Sequence, residues 1–272
     1  MEFSGRTAAI TGAASGIGRA LAVELAGHGC HLALSDVDPI GLAHTSDMVS
    51  AKVPTTTSIV DVADRDAVYG WAEQVVSDHG SVNIIINNAG VNLTDDAETQ
   101  SISDVEWVMD IDFWGVVHGT QAFLPHLKAS GDGHVVNISS VFGLVSIPSQ
   151  SAYNAAKFAV RGYTDALRME LELEGAPVSA TTIHPGGIKT NIVRNGRSKD
   201  HEQTIEQFDQ LAMTSPDKAA RQIVKAIERN RRRALIGPDA KLFDIGSRLP
   251  AAVSQRIVKA MAKRTLSNEE DT

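Results

Sequence analysis

The chain has 272 residues, 43% of them hydrophobic and 21% charged, a balance that supplies a full core and excludes a disordered or low-complexity protein. Its formal net charge of −8 argues against a general nucleic-acid binder, and its single cysteine, Cys30, excludes an intramolecular disulfide. No apolar run approaches the roughly 20 residues of a membrane span, and the first apolar strand starts too early to leave room for a secretory leader, so the expectation is one cytoplasmic domain over 1–272.

Thr7-Ala8-Ala9-Ile10-Thr11 predicts a short buried strand, and Gly12-Ala13-Ala14-Ser15-Gly16-Ile17-Gly18 a tight turn opening an amphipathic helix to about residue 29. A glycine turn between strand and helix lets the backbone approach a pyrophosphate, whose charge the amide N–H groups and the positive end of the helix then hold. Gly12, Ser15, Gly16, Ile17 and Gly18 are therefore candidate cofactor residues. Residues 31–36 predict a second strand ending in Asp36, a carboxylate placed to accept hydrogen bonds from the adenosine ribose hydroxyls and to repel a 2′-phosphate. No arginine or lysine stands in 34–38 or between Gly12 and Gly18, so NAD is favoured over NADP.

A helix over 39–50 leads to a third strand over 55–62, whose terminal Asp61 is either a ligand group or the cap of the next helix, over 65–79. The β-branched run through 82–86 reads as a parallel strand covered on both faces, running into Asn87-Asn88-Ala89-Gly90. A long helix over 103–126 contains Asp112. A fifth strand over 134–140 delivers Ser139-Ser140 to the carboxyl edge, where open α/β sheets bind ligands. The loop Val141-Phe142-Gly143-Leu144-Val145 is apolar and predicts a partly hydrophobic pocket wall.

In Ser151-Ala152-Tyr153-Asn154-Ala155-Ala156-Lys157, within a helix over 151–174, the tyrosine and lysine share a face. An ammonium beside a phenol favours the phenolate and draws its pKa down, which makes Tyr153 a candidate general acid and base. A sixth strand over 179–184 ends at His184, and Pro185-Gly186-Gly187-Ile188-Lys189-Thr190 follows. Residues 187–215 read as a lid. A helix over 216–231 and a last strand over 233–238 precede a C-terminal helical extension over 239–272 with Pro250 at its middle. Basic residues outnumber acidic ones from 218 to 264, and Arg231-Arg232-Arg233 reads as a solvated helix end. The extension is open to three uses: covering the pocket, packing on a neighbouring subunit, or lying on a membrane surface.

These motifs together, Thr-Gly-x-x-x-Gly-Ile-Gly, Asn-Asn-Ala-Gly, the serine before the helix, Tyr-x-x-x-Lys and Pro-Gly, resemble the short-chain dehydrogenase/reductase family almost end to end. The resemblance implies an α/β, Rossmann-type doubly wound parallel sheet of seven strands in the order 3-2-1-4-5-6-7, with helices on both faces. It implies hydride transfer between NAD and a secondary alcohol or ketone, with Ser140, Tyr153 and Lys157 as catalytic residues. Asp61 and Val62 would meet the adenine, and Asn88, Ala89 and Gly90 would line the cofactor. Tyr153 and Lys157 would hold the nicotinamide ribose, and Pro185, Gly186, Ile188 and Thr190 would close over the nicotinamide. Val141, Phe142, Leu144, Val145 and Gly187 would form the substrate pocket. No metal is implied, and the helices over 103–126 and 151–174 would build a homodimer or homotetramer.

One position departs from the family pattern. Asp112 stands where relatives usually carry an asparagine that holds a water linking the catalytic lysine to solvent; a carboxylate accepts hydrogen bonds but cannot donate them, and its charge would stabilise the Lys157 ammonium. Asp112 is then either a fourth catalytic residue that orders the relay water or a plain helix carboxylate turned to solvent. Two rival readings remain: an NADPH-dependent carbonyl reductase, against which Asp36 speaks, and a nucleotide-binding regulator without turnover, against which the complete catalytic set speaks.

Overall fold

The computed structural model describes residues 2–270, with side chains described through residue 260; the last two residues of the expected extension lie outside the described residues. In chain order the elements are β1 (Thr7–Thr11), α1 (Gly16–Gly27), β2 (His31–Asp36), α2 (Pro39–Val49), β3 (Thr55–Ile59), α3 (Arg65–His79), β4 (Ile84–Asn87) and β5 (Leu93–Thr94). They continue as α4 (Ile102–Met109), α5 (Gly115–Ala129), β6 (Gly133–Ile138), α6 (Ser151–Glu174), β7 (Val178–Pro185), β8 (Arg197–Ser198), α7 (His201–Leu211), α8 (Pro216–Glu228), β9 (Arg233–Ile236), α9 (Pro238–Ser247) and α10 (Ala251–Glu270).

Seven strands form one sheet in the order β3-β2-β1-β4-β6-β7-β9, and every pairing is parallel. Counted along the chain, this is the expected 3-2-1-4-5-6-7 order of a Rossmann-type fold. Strand alternation divides the core between two layers: Ala8, Ile10, Ile84 and Ile86 face α1 and α8, while Ala9 and Ile85 face α3 and α5. The order reverses between β1 and β4, which puts the ends of β1, β4 and β6 beside one crevice.

Several local expectations are corrected. β3 stops at Ile59: the Val60 N–H still donates to the Asp36 carbonyl at 3.1 Å, and the chain then turns at Asp61, whose Oδ1 accepts the Ala63 N–H at 2.9 Å. The α3 cap is Asp64, which accepts the Ala67 N–H at 3.1 Å, so Asp61 is exposed and has no capping role. β6 ends at Ile138, since Ser140 caps a 3₁₀ turn over Val141–Gly143. Residues 187–215 carry regular structure: β8 pairs with β5, Arg197 sits 4.0 Å over the Trp107 ring and binds Asp104 at 2.6 Å, and α7 follows. Part of the basic run is tied down, Arg232 to Glu172 at 2.9 Å and Arg233 to Asp165 at 3.5 Å.

The expected helix over 103–126 contains a π-helical turn, Asp110–Trp114, between α4 and α5. Such a turn inserts extra backbone into the helical ladder and often marks a functional site. Two helices flank Pro250, as the apolar spacing predicts. Among the described residues no helix is long and apolar enough to cross a membrane.

Candidate active site

The first half of the site is made of neutral backbone. Gly12 and Gly16 adopt φ of 65° and 53°, the left-handed region that favours glycine. Gly18 packs so tightly that a Cβ there would lie 2.1 Å from the Gly12 carbonyl oxygen and 2.7 Å from Asn88 Nδ2. Asn88 donates from Nδ2 to the carbonyls of Thr11 and Gly12 at 3.0 and 3.1 Å, and the Thr11 hydroxyl accepts the Asn88 and Ala89 N–H groups at 3.0 Å each. Turn and loop are thereby one rigid cradle. Ser15 forms no side-chain cap on α1, and Ile17 lies in its first turn.

Asp36 reaches the rim of this cradle, where Oδ2 accepts the Ala14 N–H at 2.8 Å and Oδ1 the Asp38 N–H at 3.0 Å. Arg19, the first cation past the turn, is spent inward on the carbonyls of Ala14 and Gly41 and on the Thr45 hydroxyl. Val62 is buried and its carbonyl accepts from His118 Nδ1 at 3.0 Å. From the other side Thr190 lies against Gly16, whose Cβ would be 3.1 Å from the threonine methyl.

The second half is made of buried charge. Lys157 Nζ lies 3.0 Å from Asp112 Oδ2, 3.3 Å from the Ile138 carbonyl oxygen and 5.4 Å from the centre of the Tyr153 ring. The π turn carries Asp112 inward; the carboxylate is fully buried and accepts the Val91 N–H at 2.7 Å. Gly90 opens onto this pair, for a Cβ there would lie 3.3 Å from Asp112 Oδ1 and 3.4 Å from Lys157 Nζ. Ser140 stands close enough to the Tyr153 phenol to act on its pKa, and its hydroxyl accepts the Phe142 N–H at 3.1 Å. Ser139 bonds the Lys157 carbonyl at 2.8 Å, locking α6 to the end of β6. Asn87 stays in the core, donating to Asn137 at 2.8 Å.

Burial pushes the Tyr153 phenol above its ordinary pKa; Lys157 opposes that shift, Asp112 adds to it, and the neighbouring Ser140 hydroxyl lowers it. The expected downward pull of Lys157 is thus present but outweighed. For Lys157 itself burial acts downward, yet Asp112 and then Tyr153 act upward and the net shift is up. Burial raises Asp112, with Lys157 drawing it back. His184 is buried, and its Nδ1 donates to the Ser140 carbonyl at 2.7 Å. Burial lowers its pKa to about 4, so it is a neutral prop beneath Ser140.

The pocket wall follows the expected loop only in part. Val141 and Leu144 are buried, Val145 is half-buried, and the Phe142 ring meets the Tyr153 ring edge-on at 6.2 Å. Gly187 is enclosed by Leu211 and Ala212, and its N–H donates to Asp239 Oδ2 at 2.7 Å. Pro185 closes β7, the Gly186 N–H bonds the Ile236 carbonyl at 2.9 Å, and Ile188 bridges to Thr214. Two residues that sequence reasoning passed over, Asp239 and Phe243, both stand on α9, and Phe243 packs edge-on against Phe142 at 6.1 Å.

Comparison with known proteins matches this arrangement to one family. The family model for short chain dehydrogenase matches residues 6–201. A curated relative from Mycobacterium tuberculosis, "Putative oxidoreductase SadH", is 48% identical over 264 residues, which cover 95% of this chain and 96% of that protein. A solved short chain dehydrogenase/reductase from Burkholderia phymatum in complex with NAD is 30% identical with a TM-score of 0.84, covering 89% of this chain and 92% of that one. A short chain dehydrogenase from Mycobacterium paratuberculosis bound to NAD is 26% identical with a TM-score of 0.75, covering 86% and 96%.

Proposed function

The chain belongs to the short chain dehydrogenase family of oxidoreductases, and from that premise we propose that it catalyses reversible, NAD-dependent oxidation of a secondary alcohol with a partly hydrophobic skeleton. The observation that carries this reading is the joining of Ser140, Tyr153 and Lys157 at the carboxyl edge of β6, beside a glycine cradle that a Cβ at Gly18 would fill.

The residues present fit a dinucleotide. Gly12, Ser15, Gly16, Ile17 and Gly18 offer backbone and the positive end of α1 to a pyrophosphate. Asp36 takes the adenosine ribose, exposed Asp61 with Val62 the adenine, and Asn88, Ala89, Gly90, Tyr153 and Lys157 the nicotinamide side, under Pro185, Gly186, Ile188 and Thr190. Asp36 at the rim and the inward engagement of Arg19 support NAD over NADP. The nicotinamide, when bound, supplies the hydride acceptor, or the donor in reverse.

Ser140 holds the substrate oxygen by a hydrogen bond while Tyr153, as phenolate, takes the hydroxyl proton. As the O–H electron pair becomes the carbonyl bond, the carbinol C–H pair leaves as hydride. Lys157 stabilises the phenolate and Asp112 sets the charge of Lys157. Exposed Trp114, Phe158, Met169 and Leu173 on the π turn and α6 support assembly of copies of the chain through this face.

The test is to mix the protein with NAD or NADP and a panel of secondary alcohols and follow the absorbance of the reduced cofactor. Turnover with NAD at the lower KM is expected. Preference for NADP overturns the cofactor assignment, and no turnover despite binding of NAD overturns the enzyme reading.

A further inference from the structure

Helix α9 lies beyond the stretch matched by the family model, yet two of its side chains reach the site from one face. Asp239 and Phe243 are spaced i, i+4 and so point the same way. The Asp239 carboxylate accepts the Gly187 N–H at 2.7 Å, a charge-assisted bond. It sits so close to the loop that a Cβ on Gly186 would fall 2.1 Å from Oδ2 and 2.3 Å from Oδ1, so only glycine admits it. Among the described residues Asp239 forms no ion pair, which leaves its charge to the loop.

The loop is also gripped from its other side. The Gly187 carbonyl accepts the N–H groups of Met213 and Thr214 at 3.1 and 3.2 Å, and the Lys189 N–H donates to the Thr214 carbonyl at 2.9 Å. Four residues after Asp239, Phe243 meets the Phe142 ring at 6.1 Å and 85°, and Phe142 meets the Tyr153 ring at 6.2 Å and 84°. Aromatic pairs at such distances and angles are in a favoured edge-to-face geometry. The helix that carries both contacts is itself anchored: Ala240 is fully buried, and Asp244 pairs with Arg248 at 2.7 Å and Arg233 at 3.7 Å.

We propose that α9 is a two-ended brace, in which Asp239 positions the 186–190 loop against the nicotinamide half of the cofactor while Phe243, through Phe142, forms the aromatic wall that selects an apolar group on the alcohol. This inference rests on the function proposed above. It makes Asp239 a positioning residue and Phe243 a specificity residue, and it assigns the first part of the C-terminal extension to the pocket.

The test separates the two halves of the cofactor by calorimetric titration without substrate. Asp239→Ala should weaken NAD binding about tenfold, as expected for losing a hydrogen bond to a charged group, while ADP-ribose, which lacks the nicotinamide, binds as to the unaltered protein. Asp239→Asn retains an acceptor oxygen and should recover most of the loss. Phe243→Ala should raise KM for a secondary alcohol bearing a large apolar group about tenfold and leave propan-2-ol and the NAD affinity alone; burial of such a group is worth about that factor. Undiminished NAD affinity in Asp239→Ala, or equal loss of NAD and ADP-ribose, overturns the Asp239 role. Equal KM changes for large and small alcohols overturn the Phe243 role. Unaltered protein that binds neither NAD nor ADP-ribose instead overturns the proposed function and, with it, this inference.

Discussion

At the glycine turn the contacts that define the cradle run between neutral groups, N–H to carbonyl and backbone to missing Cβ, whereas around Lys157 they run between a buried ammonium and a buried carboxylate. Both regions lie at the same edge of the sheet. What differs is the quantity each controls. The cradle controls shape, so damage there should be steric and indifferent to pH. The centre around Lys157 holds charge in a medium of low polarity, so damage there should change with pH and spread among Asp112, Tyr153 and Lys157.

The largest expected effect is at Tyr153. Tyr153→Phe keeps the ring that meets Phe142 and removes only the proton acceptor, so kcat should fall about 10²–10⁴-fold, the usual contribution of a positioned acid or base. Steady-state kinetics on folded protein check it, and a fall of less than tenfold would move the proton transfer elsewhere.

Next comes Lys157→Met, which strands Asp112 in the interior. Breaking a buried pair by removing one partner costs about 3–5 kcal/mol, readable by urea denaturation. The sign with pH follows from Asp112, which burial already holds above the ordinary carboxylate range and which then loses the cation that drew it back. The folded state binds the proton more tightly than the unfolded one, so stability is retained at pH below the unfolded carboxylate value and lost as pH rises toward the folded one. Between the unfolded carboxylate value and the raised value of Asp112 in the unaltered protein both proteins lose stability alike, so the deficit should widen only as pH rises above the latter. A constant deficit would mean that Asp112 is not stranded.

Gly18→Ala probes the other side of the comparison. A methyl 2.1 Å from a backbone oxygen forces the cradle apart, at a cost of about 1–3 kcal/mol and with weakened NAD binding. This loss should be the same at every pH where the protein is folded. A marked pH dependence would show that the two regions are not separable.

The same division explains what the sequence discloses. Gly12, Gly16 and Gly18 are close along the chain and Tyr153 and Lys157 are one helical turn apart, so their joint role is local and can be recognised from spacing. The strand order follows from alternation of strands and helices with right-handed crossovers. The π turn is different: nothing in Met109-Asp110-Ile111-Asp112-Phe113-Trp114 announces it, because it exists to bring Asp112 onto a lysine 45 residues later in the chain. Asp239 follows Gly237-Pro238 with no motif around it, and only the fold shows Gly186 and Gly187 against it. Phe243 has the apolar spacing of any amphipathic helix. The direction of the Tyr153 shift was hidden for a related reason, since a neighbouring lysine can be read from spacing but the depth of burial that outweighs it cannot.

Asp112→Asn gives the smallest effect and the sharpest contrast. Asp112 is not turned to solvent; it is fully buried and 3.0 Å from Lys157, so its charge acts on Tyr153 through a medium that screens little. Of the influences on the phenol, burial and Asp112 push the pKa up, and Lys157 and Ser140 push it down. Asparagine keeps the size and removes one upward influence, so the Tyr153 pKa should fall and the rising limb of oxidation rate against pH should move to lower pH. The substitution also removes what holds Lys157 up, and its ammonium pKa should fall as well. While that ammonium persists its own downward influence on Tyr153 is unchanged, so the net movement of the phenol is down. A displacement of about one pH unit corresponds to about 1.4 kcal/mol. Gly18→Ala, measured beside it, should lower the rate and leave the limb in place. A limb unmoved in Asp112→Asn, or moved equally in both variants, would break the division between a region that sets shape and a region that sets charge.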